Sequence, residues 1–189
     1  MVSDAESIGM IKISFLAGEL LFTGIWLLAR LVVWLRQKKI DWKREAVLLL
    51  MYINLAVIVR FTFFPMARVG GKVQPLLFDP AKIYPFRVNL RPLTDLFDYR
   101  SRRNMLLNVL GNAGMFVPSG IVLPIVCKKL DSFRKVTAAG FLLSLCIELL
   151  QLPFSVRATD VDDLIMNTLG VMLGYGIYAL VRALKKRKA

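Results

Sequence analysis

Ser144-Leu145-Cys146-Ile147-Glu148-Leu149-Leu150-Gln151 sets a carboxylate and an amide three residues apart inside an apolar run of membrane-spanning grade. Shortly after it comes Arg157-Ala158-Thr159-Asp160-Val161-Asp162-Asp163-Leu164-Ile165-Met166-Asn167-Thr168-Leu169-Gly170, where a second run opens on a cluster of acids. Charges at bilayer depth are costly, about 2.5–3.5 kcal/mol each on insertion scales, so they mark functional-site candidates that need partners. Both stretches are interpretable only if the surrounding runs are transmembrane helices.

The rest of the chain agrees. Of its 189 residues, 57% are hydrophobic and the mean hydropathy is positive, which points to the membrane class rather than an ordinary soluble domain. At roughly 20 apolar residues per crossing, the pattern predicts an all-α polytopic transmembrane bundle of about five spans in one domain. The spans read as residues 8–35, 45–65, 104–126, 136–153 and 161–183, with a long connection over 66–103. The first run is long and follows Asp4 and Glu6 rather than a basic stretch, so it reads as a retained helix and not a cleaved signal.

The net charge is +13. The densest basic clusters are Arg36 to Arg44, Lys128 to Lys135 and the carboxyl-terminal tail, and five spans put all three on one side. Short basic loops favour the cytoplasm, which predicts an outside amino terminus and a cytoplasmic carboxyl terminus. Trp34 and Trp42 flank the first cluster as interfacial residues do, whereas Arg100, Arg102 and Arg103 on the opposite side run against the trend. No nucleic-acid module is visible. The absence of histidine removes the usual general base and metal ligand. Cys127 and Cys146 form no CxxC and read as packing residues.

With that topology, polar groups from four segments share an outer depth: Arg60 in span two, Asn108 and Asn112 in the Asn104-Asn108-Asn112 stripe of span three, Glu148 and Gln151 in span four, Arg157 in the turn, and Asp160, Asp163 and Asn167 in span five. Offsets of three and seven put the last three on one helical face. These residues are the candidate ligand-binding set, with no metal and no cofactor expected. Each also has a structural reading. Thr159 or Asp160 with Asp162 or Asp163 resembles a capping box. Glu148 and Gln151, and the Asn stripe, can act as interhelical glue, and Gly170 to Gly174 is a GxxxG packing pattern. Pro118 and Pro124 read as kinks, and Glu19 and Arg30 as too far apart to pair. The Tyr84 to Leu93 segment reads as an ordered interfacial stretch covering the site.

The order of these motifs resembles the VanZ-like family: Asn108 to Gly120 with Asn112 and Pro118, then Glu148 and Gln151, Arg157, and Asp160 to Gly170, with Asn89-Leu90 and Pro92 before span three. Leu93 stands where that family usually has an aromatic residue. The resemblance runs from about Arg60 to the end of span five. It implies a multi-pass protein of the bacterial cytoplasmic membrane, linked in its founding member to resistance against teicoplanin and related lipoglycopeptides. Expected partners are membrane lipids and a cell-wall precursor or lipoglycopeptide, bound without catalysis. The alternative is a membrane enzyme acting on a lipid-linked substrate, with carboxylates as base or oxygen ligands for a hard cation. A carrier is a third reading, weakened because the polar groups gather at one side and no internal repeat is evident.

Overall fold

In lipid every backbone polar group must be satisfied within its own segment, so the apolar runs fold as helices. The computed structural model describes residues 10–64, 68–69, 71–82, 88–92, 102–154 and 159–188. Five long helices carry the fold: α1 (Phe15–Gln37), α2 (Trp42–Phe63), α3 (Arg102–Val126), α4 (Phe133–Gln151) and α5 (Val161–Lys188). Of these, α1, α2, α3 and α5 are long and apolar enough to cross a membrane. The chain is a multi-pass helical membrane protein.

The first helix starts at Phe15, later than the apolar run suggests, because Ile11–Ile13 (β1) is extended and pairs antiparallel with Leu76–Phe78 (β4). Ser14 then caps α1, its hydroxyl accepting from the Ala17 N–H at 3.2 Å. At the other end Lys38 adopts a left-handed conformation (φ 52°) and donates its N–H to the Trp34 carbonyl. Asp41 next caps α2 by accepting from the N–H groups of Lys43 and Arg44. This tight turn makes α1 and α2 an antiparallel hairpin. Arg30 and Glu45 close it with two hydrogen bonds, and Phe22 stacks on Tyr52 at 5.7 Å. Arg30 therefore pairs across the turn, a partner its distance from Glu19 does not reveal. No residue of α1 is buried, so that helix lies at the edge of the bundle against α2.

The centre is built by α3 and α5, which run parallel. A Cβ added at Gly170 would strike the Ala113 carbonyl, and one at Gly174 the Val117 carbonyl; Gly120 meets the Val171 carbonyl in the same way. Lipid supplies no hydrophobic drive between helices, so close backbone approach at small residues is what holds them together. Ile58, Phe116, Val136, Ile147 and Val171 fill the space between α2, α3, α4 and α5. A buried polar node ties α2 to α3: Asn54 donates to the Met115 carbonyl at 2.9 Å and accepts from the Ser119 hydroxyl.

The connection between α2 and α3 carries short strands of its own. Arg68–Val69 (β2) and Lys72–Val73 (β3) form a small hairpin. β4 continues from its pairing with β1 to a bridge between Phe78 and Phe154, where the Asp79 N–H donates to the Pro153 carbonyl at 2.8 Å. Val88–Asn89 (β5) pairs in parallel with Thr159–Asp160 (β6). The end of β4 and strand β5 are thus fastened to the junction between α4 and α5. Of the stretch expected to lie at the interface, residues 84–87 and Leu93 fall outside the described residues.

Candidate functional site

The helix directions fix two unlike ends. The α1–α2 turn, the α3–α4 turn and the carboxyl end of α5 share one end, rich in lysine and arginine. There Asp131 accepts from Arg182 and from the Tyr178 hydroxyl. The amino ends of α3 and α5 and the carboxyl ends of α2 and α4 share the opposite, polar end.

At the polar end Glu148 is 3% exposed. Its Oε2 accepts from the Asp160 N–H at 3.1 Å, while its main-chain carbonyl accepts from the Thr159 hydroxyl at 2.9 Å. The carboxylate thus fastens the strand that leads into α5. Asp160 in turn accepts from the Asp162 N–H at 2.9 Å, as an N-cap does. Asn89 reaches across from β5 to the Asp160 carboxylate at 3.4 Å. Asp162 and Asp163 occupy the first turn of α5, where the helix dipole favours negative charge.

One turn on, the face of α5 divides between two neighbours. Asp163 accepts from the Asn112 side chain on α3, and Asn112 also leans on Asn108 at 3.4 Å. Asn167, 2% exposed, donates to the Ser144 hydroxyl on α4 at 2.9 Å. Asp163 and Asn167 thus reach α3 and α4 from neighbouring turns of α5, whereas Asp160 precedes the helix in β6 and does not share their helical face. Gln151 donates to the Thr62 carbonyl on α2, so it joins α4 to α2 rather than pairing with Glu148. The Gln151 Oε1 and Asn167 Oδ1 atoms are buried acceptors with no donor among the described residues.

Arg60 turns the other way. It donates to the Phe64 carbonyl at 3.1 Å and lies over the rings of Phe15 (5.2 Å) and Phe61 (5.4 Å). Arg60 therefore shares the polar end with the carboxylates but faces the α1 side. Arg157 and the side chain of Asn104 lie outside the described residues. Among the described residues, no three carboxylates or thiols are grouped to hold a metal ion.

The reading from sequence did not single out Ser144, Thr62, Asn54 or Ser119. A hydroxyl or amide in an apolar run is a weak signal by itself, and only the partner across the helix interface gives it meaning.

The family model described as VanZ/LLP1 matches residues 47–182, a stretch that contains every polar-end residue of α2 to α5 named above. The chain belongs to the VanZ/LLP1 family. Over 109 residues it is 36% identical to Protein VanZ of Enterococcus faecium, covering 58% of this chain and 63% of that protein. The match thus spans slightly under two thirds of that relative. No solved structure matches the chain. The VanZ/LLP1 match leaves out α1, whose peripheral position fits a helix that adds to the bundle without organising it.

Proposed function

We propose that the polar end opens to the outer leaflet of a bacterial cytoplasmic membrane and binds the polar part of an amphiphile there. The ligand is a lipid headgroup, a cell-wall precursor or an amphiphilic drug, and the outcome is protection against teicoplanin and related lipoglycopeptides. One observation carries this reading: the carboxylates and amides of α3, α4 and α5 gather at one end of the bundle, while the lysine-rich loops occupy the other. Basic loops favour the cytoplasmic side, which turns the polar end outward, puts the amino terminus outside and leaves the carboxyl terminus in the cytoplasm. In this arrangement α4 is the fifth crossing. Its 19 residues span roughly 28 Å at ~1.5 Å per residue, close to a hydrocarbon core of ~30 Å.

In this reading Glu148 and Asp160 hold the rim in shape, and the groups that meet ligand are those nearer the surface. Asn108 is exposed and Asp163 is half-buried, so the α3–α5 edge is the contact side. The buried acceptors on Gln151 and Asn167 add capacity for donors such as hydroxyl, amide or water.

The test is a susceptibility assay in cells producing the protein, comparing teicoplanin with vancomycin. Glu148→Gln and Asp163→Asn each remove a charge while keeping an oxygen acceptor, so neither leaves its donor orphaned. The expected result is selective teicoplanin protection by the wild type, lost by at least fourfold in Asp163→Asn at equal surface expression, as for removal of ~1 kcal/mol of binding, and largely kept in Glu148→Gln, whose buried oxygen still accepts the Asp160 N–H. Protection that survives Asp163→Asn would reduce the cluster to helix packing and capping.

A further inference from the structure

The basic end carries a second feature that the polar site does not use. Past the close crossing at Gly120 and Gly174, the facing positions of α3 and α5 become large, and a groove of about 530 Å³ opens between the two helices. Its walls are Ile121 and Ile125 from α3 and Ile177 and Val181 from α5. Its rim carries Lys128, Lys185 and Lys186. Arg182 also borders it but is engaged by Asp131. Among the described residues no carboxylate pairs with the three lysines.

We infer that this groove seats an anionic phospholipid, with the phosphate held by Lys128, Lys185 and Lys186 and an acyl chain lying along the isoleucine and valine walls. The volume falls within the roughly 300–1,000 Å³ common for small-ligand sites. The charge pattern selects the ligand: three cations at the mouth of an apolar trough match an amphiphile with an anionic head, and basic pockets between membrane helices recognise such lipids. The Arg182–Asp131–Tyr178 cluster gives the seat a fixed edge, since Asp131 Oδ2 accepts from two residues one turn apart on α5. The inference is independent of the proposed outer site and of which way the protein faces, because it concerns the opposite end of the bundle.

The experiment is native mass spectrometry of the full chain extracted into mild detergent. Phosphatidylglycerol and phosphatidylcholine with identical chains are titrated, and inorganic phosphate serves as a competitor. The comparison variants are Lys128→Gln/Lys185→Gln/Lys186→Gln and a charge-matched control, Arg36→Gln/Lys38→Gln/Lys39→Gln, in the other basic turn. The expected result is preferential retention of phosphatidylglycerol, reduced on the order of 100-fold in the first triple variant at roughly fivefold per lysine. The control should retain it, and inorganic phosphate should not displace it, because the apolar walls hold the chain. Equal retention of both lipids would overturn the proposal, as would equal losses in the two triple variants or displacement by phosphate alone.

Discussion

Gly174→Leu strongly destabilises the bundle by forcing α3 and α5 apart. The Cβ position of Gly174 meets the Val117 carbonyl and the Gly120 Cα, both backbone atoms that cannot rotate away. A larger side chain must push α5 off α3 along the whole crossing, since Gly170 and Gly120 depend on the same separation. Overpacking a tight interior costs ~1–3 kcal/mol and more where backbone obstructs. The upper end of that range corresponds to a loss of roughly 10 °C in the unfolding midpoint for a chain of this size. Gly176→Leu is the matched control on the same helix: its added Cβ meets nothing within 4 Å. Thermal unfolding of the purified protein in detergent, followed by size-exclusion chromatography, measures the difference. Equal midpoints for the two variants would mean that α3 and α5 do not meet at these glycines.

Glu148→Ala loosens the entry to α5. The buried carboxylate accepts the Asp160 N–H, and its removal takes that acceptor away from a part-buried donor. Losing such a bond costs ~1–3 kcal/mol. The Thr159 hydroxyl still reaches the main-chain carbonyl of residue 148, so the strand stays near but is less firmly held. Hydrogen exchange at Asp160 should accelerate by roughly 10- to 100-fold, local opening being governed by the lost free energy. Glu148→Gln keeps an oxygen at the same place and should change that amide much less. If both variants exchange like the wild type, Glu148 does not fasten the junction.

Much of the central bundle could be read from the residues. Glu148 and Asp160 stand out because a charge in an apolar run needs a reason, and Gly170 and Gly174 because small residues four apart mark a helix seam. The capping reading of Asp160 and the shared face of Asp163 and Asn167 both correspond to contacts in the structure. The direction of Arg60 was not legible. Helix α2 is apolar around nearly its whole circumference, so its sequence does not say which side meets α1 and which meets α3. The same uncertainty hid Asn54 and its partner Ser119, and the Thr62 carbonyl that receives Gln151. Strand β1 was hidden for a different reason: Ile11 to Ile13 continues the apolar run of α1, and only its pairing with Leu76–Phe78, far along the chain, makes it extended.

Cysteine accessibility tests most directly whether the polar end faces outward. Cys127 and Cys146 are first replaced by serine and alanine, both being unpaired thiols. Asn108→Cys then reports on the polar end and Lys129→Cys on the basic end, both positions being exposed. A membrane-impermeant thiol reagent applied to intact cells is predicted to label the residue at 108 and to reach the one at 129 only after permeabilisation. Labelling of 129 in intact cells, with 108 protected, would contradict the account and turn the carboxylate cluster toward the cytoplasm.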